Sequence, residues 1–357
     1  MSERGPYRVG VVGATGAVGT TILEVLAERG FPAAEVVPFS SERSAGAKLP
    51  YDGGELECRP LSAEAIAGLD LVLSSAGGKV SAEWAPRFVE SGAVVVDNTS
   101  YWRMHDDVPL IVAEVNPDAL DSHRGIVANP NCSAMQMLVA LGPLHRAVGV
   151  ERIVVSTYQP VSGTGRRAMQ ELEAQTHAIL HGSEVPPAAV YPHRIAFNVL
   201  PQVETFKAGD DYTTEERKMM AETRKILGAT EDELKISATC VRVPVLKGES
   251  ESVNVQTREA LSPEECRRIL AGAPGVMVVD APGDGVYPLA TEAAGRDQVL
   301  VGRIRRDPSH ERCLNMWIVG DNLRKGAATN AVQVAELLHE RGLVRVPEGA
   351  AATPASN

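Results

Sequence analysis

Arg8-Val9-Gly10-Val11-Val12-Gly13-Ala14-Thr15-Gly16-Ala17-Val18-Gly19 is the stretch on which the fold reading turns. Residues Arg8 to Val12 form a short apolar strand. A glycine turn follows at Gly13, Gly16 and Gly19. From about Ala17 to Arg29, apolar Val18, Ile22, Val25 and Leu26 recur at spacings of three and four, which places them on one helix face. Glycines let a backbone turn sharply and come close to a pyrophosphate, and the helix start then offers free N–H groups and the positive end of its dipole. The spacing is GxxGxxG, looser than the strict GxGxxG. A plain tight turn is the competing reading. The strand before it and the helix after it favour a dinucleotide site built on Gly13, Thr15, Gly16, Ala17 and Val18.

The same alternation continues outward. Val36 to Phe39, Leu69 to Leu73, Ala93 to Val96 and Ile126 to Ala128 read as buried strands, with helical patterns such as Ser81 to Ser91 between them. That order predicts a doubly wound parallel sheet. After about residue 150 strands cluster: Arg152 to Val161, Lys235 to Leu246, Ser252 to Thr257, Val276 to Val279, Gln298 to Arg305 and Cys313 to Val319. Helices are expected at Gly165 to His181, at Thr213 to Leu227 and at Ala327 to Arg341, and a Pro-rich loop at Ser183 to His193. The fold class is therefore α/β: a Rossmann-type nucleotide-binding domain plus a second, α+β domain with a mainly antiparallel sheet. Its division is read as 1-131 with 326-345, then 132-325, then a disordered tail at 346-357.

The chain has 357 residues, enough for two domains. Its formal charge of -11 argues against nucleic-acid binding, which needs a basic footprint. No apolar run approaches the roughly 18 residues of a membrane span. The first residues lack a signal-peptide layout, and the five cysteines show no CxxC, so neither a disulfide framework nor a metal site is expected and a cytoplasmic protein is. Cys132 stands apart. Asn129-Pro130-Asn131-Cys132-Ser133 follows a strand and opens a helix, a place that lowers a thiol pKa. Local physics leaves two readings open, an inert buried cysteine and a nucleophile that attacks a carbonyl while hydride moves to or from a nicotinamide. Cys58, Cys240, Cys266 and Cys313 are assigned to packing or surface. At the end of the second strand, Ser41, Arg43 and Ser44 suit a 2'-phosphate and favour NADP over NAD, with Glu42 as the opposing feature.

Longer strings carry a resemblance. Gly13 to Gly19, Ser74-Ser75-Ala76-Gly77-Gly78, Val96 to Arg103, Ala128 to Ser133, Arg194 to Pro201, Cys240 to Pro244 and Lys325 to Gln333 resemble the aspartate-semialdehyde dehydrogenase family over about residues 7 to 342. The resemblance implies NADPH-dependent reductive dephosphorylation of 4-aspartyl phosphate to aspartate 4-semialdehyde, on the way to lysine, diaminopimelate, threonine and methionine. It implies a homodimer or homotetramer. It assigns Cys132 as the nucleophile, Gln159 as the residue that orients the intermediate, and Arg103 and Lys225 as phosphate ligands. Glu222 meets the substrate amino group, Arg242 forks onto the α-carboxylate, and Asn131 joins the substrate site. Ser162, Gly163 and Asn330 join the cofactor site.

One position departs from the family pattern. Its acid–base histidine lies seven residues after the carboxylate-binding arginine, and here that position is Glu249. A carboxylate can act as a base, and burial can lift its pKa toward neutrality. It cannot form a cation–thiolate pair, and its charge raises the cysteine pKa. Three readings follow: an aspartate-semialdehyde dehydrogenase that uses Glu249 as its base or runs slowly; a paralogue acting on a related acyl phosphate or semialdehyde; or a cofactor-binding relative with little turnover.

Overall fold

The structure is a computed structural model that describes residues 7–345. The stretch expected to be a disordered tail, 346–357, lies outside the described residues. The chain divides into two units. One runs to Pro130 and resumes at Ala327, and the other spans Asn131 to Gly326.

The first unit is built from strand–helix repeats. Its elements are β1 (Tyr7–Val12), α1 (Ala17–Glu28), β2 (Ala33–Phe39), β3 (Lys48–Tyr51), β4 (Gly54–Glu57), α2 (Ala63–Ile66), β5 (Leu71–Ser74), α3 (Gly78–Glu90), β6 (Val94–Asp97) and β7 (Ile126–Ala128). Five strands pair in parallel in the order β2-β1-β5-β6-β7. The order reverses beside β1, and Gly13 sits at that strand's carboxyl end, the switch point where such sheets take ligands. Val9, Val11, Leu71, Leu73, Val94 and Val96 pack with Ile22, Val25 and Leu26 of α1. Each such side chain contributes roughly 2 kcal/mol by leaving water. The unexpected piece is the β3–β4 hairpin, whose four-residue strands alternate Leu49, Tyr51 and Leu56, packed against the core, with outward neighbours. Its turn is Asp52-Gly53, with φ of 46° and 75°. Asp-Gly favours that mirror-image turn because both residues tolerate positive φ.

The second unit contains α4 (Cys132–Val148), β8 (Val150–Gln159), α5 (Arg166–Leu180), α6 (Thr214–Leu227), β9 (Lys235–Arg242), β10 (Glu249–Thr257), α7 (Pro263–Ala271), β11 (Val276–Val278), α8 (Ala290–Ala293), β12 (Val299–Arg306) and β13 (Cys313–Gly320). Its sheet runs β11-β12-β13-β10-β8-β9 and is mixed. The β12/β13, β13/β10 and β10/β8 pairs are antiparallel, while β11/β12 and β8/β9 are parallel. Strand alternation buries Glu249, Glu251, Val253 and Val255 of β10, and Thr157 and Gln159 of β8. The strand expected to run to Leu246 ends at Arg242. Pro244, two residues on, has no N–H to extend a ladder.

The chain then returns to the first unit as α9 (Thr329–Arg341), preceded by a π-type turn at Arg324–Ala328. Ala331, Ala335 and Leu338 of α9 join the first unit's core.

The start of α6 carries a complete capping box. Thr213 Oγ1 accepts from Glu216 N, and Glu216 accepts from Thr213 N at 2.8 Å. Glu216 also accepts from Cys240 N, which ties the helix to β9. Thr213→Ala is expected to lower unfolding free energy by about 1 kcal/mol, read as a shifted midpoint in chemical denaturation.

Candidate active site

Helix α4 begins at Cys132 because Asn131 caps it, its side-chain oxygen accepting from Ser133 N (3.0 Å) and Ala134 N (3.2 Å). Two carboxylates on α6 hold the cap in place. Glu215 accepts from Asn131 Nδ2 at 2.8 Å, and Glu222 accepts from Asn131 N at 2.6 Å. Glu215 also accepts from Gln159 Nε2 at 3.1 Å. That contact orients the amide, since a carboxylate that receives a hydrogen bond needs an N–H donor. Gln159, at the end of β8, reaches Ser133 Oγ with the same nitrogen at 2.9 Å. On the other side, the Ser133 hydroxyl donates to Glu249 Oε1 at the start of β10. Cys132 Sγ lies 4.0 Å from Ser133 Oγ. Behind the cysteine, a Cβ on Gly326 would stand 2.8 Å from Cys132 Cβ, so this approach requires glycine.

The electrostatics correct one expectation. A helix start lowers a thiol pKa, yet Cys132 is pushed well above the ordinary thiol value. Burial is the first cause, followed by the charges of Glu249 and Glu215. A helix terminus supplies about 0.3–1 kcal/mol, too little against desolvation and two carboxylates. Asn131 has also taken two amides of this first turn, those of Ser133 and Ala134. Cys132 therefore rests protonated at neutral pH and needs a base. The other four cysteines are buried.

Glu249 is 1% exposed, and its Oε2 has no partner. Burial raises its pKa to about 7 against the Ser133 hydrogen bond, which lowers it. Glu251, two residues on, is fully buried with both carboxyl oxygens unpartnered, and burial holds it well above the carboxylate range. Arg242 closes β9. Its backbone pairs with Leu200, and Nη1 donates to Pro160 O at 2.7 Å. Its Nε is buried without a partner, an open donor suited to a carboxylate. Lys225 is half-buried on α6, three residues from Glu222. Gly163 packs against Arg242, where a Cβ would sit 3.3 Å from Nη1. The hydroxyl of Ser162, expected in the cofactor site, is engaged with Asn322.

The remaining expected residues lie in the first unit. Arg103 is buried, donating to Asn129 O (2.9 Å) and Asn98 O (2.8 Å). Its loop hangs on buried Asp97, which accepts from Thr99 and Ser81. Gly13 has φ 81°, and a Cβ there would lie 3.0 Å from the backbone after β5. A Cβ on Gly19 would strike the Gly13 carbonyl oxygen. Gly16 caps α1 with no side-chain bond, and no acidic residue stands in the first turn around Ala17 and Val18. This cradle, open at a helix N-terminus, fits a dinucleotide pyrophosphate. Ser41 and Arg43 are exposed and Ser44 half-buried at the turn after β2, with Glu42 exposed beside them. Asn330 is fully buried, its amide bonded to Ala113 N, Ile111 O and Asn129 Oδ1, so it braces the loop.

Ser133, Glu215 and Glu251 belong to the cluster, and their types and local spacing do not announce them. Among the described residues no group of His, Cys, Asp and Glu is arranged to hold a metal, and no helix is long and apolar enough to cross a membrane.

Residues 8–123 match the semialdehyde dehydrogenase NAD binding domain, and residues 141–325 match the semialdehyde dehydrogenase dimerisation domain. The aspartate-semialdehyde dehydrogenase of Aquifex aeolicus is 53% identical over 95% of this chain and 99% of its own length. That of Synechocystis is 48% identical over 94% and 98%. Among solved structures, aspartate semialdehyde dehydrogenase II from Vibrio cholerae complexed with ASA is 44% identical, with a TM-score of 0.90 over 94% of this chain and 99% of that one. The Candida albicans aspartate semialdehyde dehydrogenase with NADP is 26% identical, with a TM-score of 0.73 over 94% and 99%.

Glu249 also sets a stability trend. Its folded pKa of about 7 exceeds the ordinary 4.5, so the folded state holds an extra proton between those values and stability falls as pH rises through that window. Glu249→Gln removes the charge. Denaturation at pH 8 is expected to show a gain of up to about 3 kcal/mol, shrinking to little at pH 5.

Proposed function

The chain belongs to the aspartate-semialdehyde dehydrogenase family, and on that premise we propose that it catalyses the reversible, NADPH-dependent reductive dephosphorylation of 4-aspartyl phosphate to aspartate 4-semialdehyde. The observation that carries this reading is the junction of Cys132, Gln159 and Glu249 through one buried hydroxyl, in a unit where Arg242 keeps an open Nε.

Glu249 accepts the Cys132 proton, and the thiolate attacks the acyl carbon. Phosphate leaves and a thioester forms on Cys132. NADPH, when bound, supplies the hydride that reduces the acyl group. Glu249 then returns its proton as the thiol leaves and the semialdehyde is released. Gln159 orients the acyl oxygen. Arg242 forks onto the α-carboxylate, Glu222 meets the amino group, and Arg103 and Lys225 bind the phosphate. The glycine cradle at Gly13, Gly16 and Gly19 takes the pyrophosphate, and Arg43 with Ser41 and Ser44 takes the 2'-phosphate that makes the cofactor NADP. The product feeds lysine, diaminopimelate, threonine and methionine synthesis in the cytoplasm. The dimerisation-domain match supports a homodimer or homotetramer.

The acidic surroundings of the thiol favour one second reading, a cofactor-binding relative with little turnover. A single assay separates them. Purified protein with aspartate semialdehyde, phosphate and NADP is expected to form NADPH. Cys132→Ala is expected to abolish this while NADPH still binds, and substantial turnover in that variant would refute the covalent route. Glu249→Ala is expected to lower kcat on the order of a hundredfold. Glu249→His is expected to exceed the parent, since an imidazolium stabilises the thiolate that a carboxylate opposes. An unchanged rate in Glu249→Ala removes Glu249 from the mechanism. Comparative titration should show tighter binding of NADPH than NADH, and equal affinity would sink the role of Arg43.

A further inference from the structure

We infer that the Ser133 hydroxyl is a catalytic relay that carries the Cys132 thiol proton to Glu249. The inference rests on the assignment of Cys132 as nucleophile and Glu249 as base. Ser133 is fully buried and stands among the three groups, with Cys132 Sγ at 4.0 Å, Gln159 Nε2 at 2.9 Å and Glu249 Oε1 in hydrogen-bond contact.

The direction of the chain follows from what each partner can do. A hydroxyl has one hydrogen and two lone pairs. Gln159 Nε2 is a donor only, and its orientation is set by Glu215, so it occupies one lone pair. The charged form of Glu249 is an acceptor only, so it takes the hydroxyl hydrogen. The second lone pair faces the thiol, whose S–H the relay takes as donor; the thiol also neighbours Glu249 directly, and the serine variants separate the two routes. The polarity is therefore Cys132 to Ser133 to Glu249.

Transfer is balanced. The S–H bond breaks as an O–H bond forms at Ser133, and the original Ser133 O–H bond breaks as one forms at Glu249. The products are a thiolate, an unchanged serine and a neutral carboxyl. In the product state the serine hydrogen points at the thiolate and the Glu249 hydrogen at the serine. No charge is left unbonded, which matters in a site this desolvated. The return step runs the same path backward.

Other groups acting on Glu249 keep their places during transfer. Glu215 on α6 opposes its charge, Arg242 on β9 favours it, and the Gln136 amide on α4 is bonded to its main-chain oxygen. On its own strand Glu251 lies two residues away, and its charge couples unfavourably to that of Glu249.

The test is the pH dependence of Cys132 alkylation by iodoacetamide in the full-length protein without substrate, read on the Cys132 peptide by mass spectrometry. The four other cysteines are buried. The parent rate is expected to rise through about pH 7, where Glu249 titrates, to a plateau. In Ser133→Ala the plateau should fall at least tenfold and the rate should climb only as the thiol itself ionises, above the ordinary thiol range. Ser133→Thr, which keeps the hydroxyl, should keep the plateau. Ser133→Val, its isostere without one, should lose it, and this pair decides the matter if the alanine variant does not fold. A packing effect strikes Thr and Val alike. A plateau of parent height and position in Ser133→Ala or Ser133→Val overturns the relay. Alkylation needs no substrate, so the relay is judged on the plateau. The proposed activity is judged separately, on turnover by the parent.

Discussion

Two buried carboxylates on one helix hold the first turn of another. Glu215 and Glu222 of α6 take the side chain and backbone N–H of Asn131, and Asn131 in turn caps α4. A buried carboxylate without donors is costly, so these bonds are a requirement of the fold as well as an ornament of the site. They fix where Cys132 begins its helix. The same Glu215 fixes Gln159, and through it the direction of the Ser133 hydroxyl. Cys132, Ser133, Gln159 and Glu249 thus share one support.

That support has an electrostatic consequence. Burial, together with the charges of Glu249 and Glu215, holds the thiol there in its neutral form. A histidine at position 249 would supply a cation to oppose this. Glutamate supplies a base of suitable strength instead, because burial places its pKa near neutrality. Base strength and thiolate stabilisation, joined in an imidazole, are separated here. The first is retained in Glu249. The second falls to hydrogen bonds, above all that of Ser133, which acts to lower the thiol pKa.

Much of the architecture is legible locally. The parallel strands of the first unit are continuous apolar runs, as buried strands are, and β1, β5, β6 and β7 fall within two residues of their expected places. The capping box at Thr213 shows itself four residues at a time. What the apolar pattern hides are elements that bury little. The β3–β4 hairpin has strands of four residues, so its signals are short: the Asp52-Gly53 turn and the alternation of Leu49, Tyr51 and Leu56 with Lys48, Glu55 and Glu57. Helix α7 is not among the expected helices, although Ser262-Pro263-Glu264-Glu265 offers a cap and proline start and Pro263, Cys266 and Leu270 share its buried face. Parallel pairing of β8 with β9 was beyond reach, because strand direction depends on partners far along the chain.

The amino-acid sequence alone determined the alternation of strands and helices, the glycine cradle, the helix that starts at Cys132 and the glutamate seven residues after Arg242. Each is a matter of neighbours along the chain: side-chain period, φ freedom, capping chemistry. Only the tertiary structure decided the state of the thiol and the company it keeps. Ser133 and Glu249 are 116 residues apart, and Asn131 and Glu222 are 91 apart. A helix start by itself lowers a thiol pKa, and the sign reversed here because desolvation and carboxylate charge act through space. Those two quantities are set by what folding brings close, and no local pattern contains them.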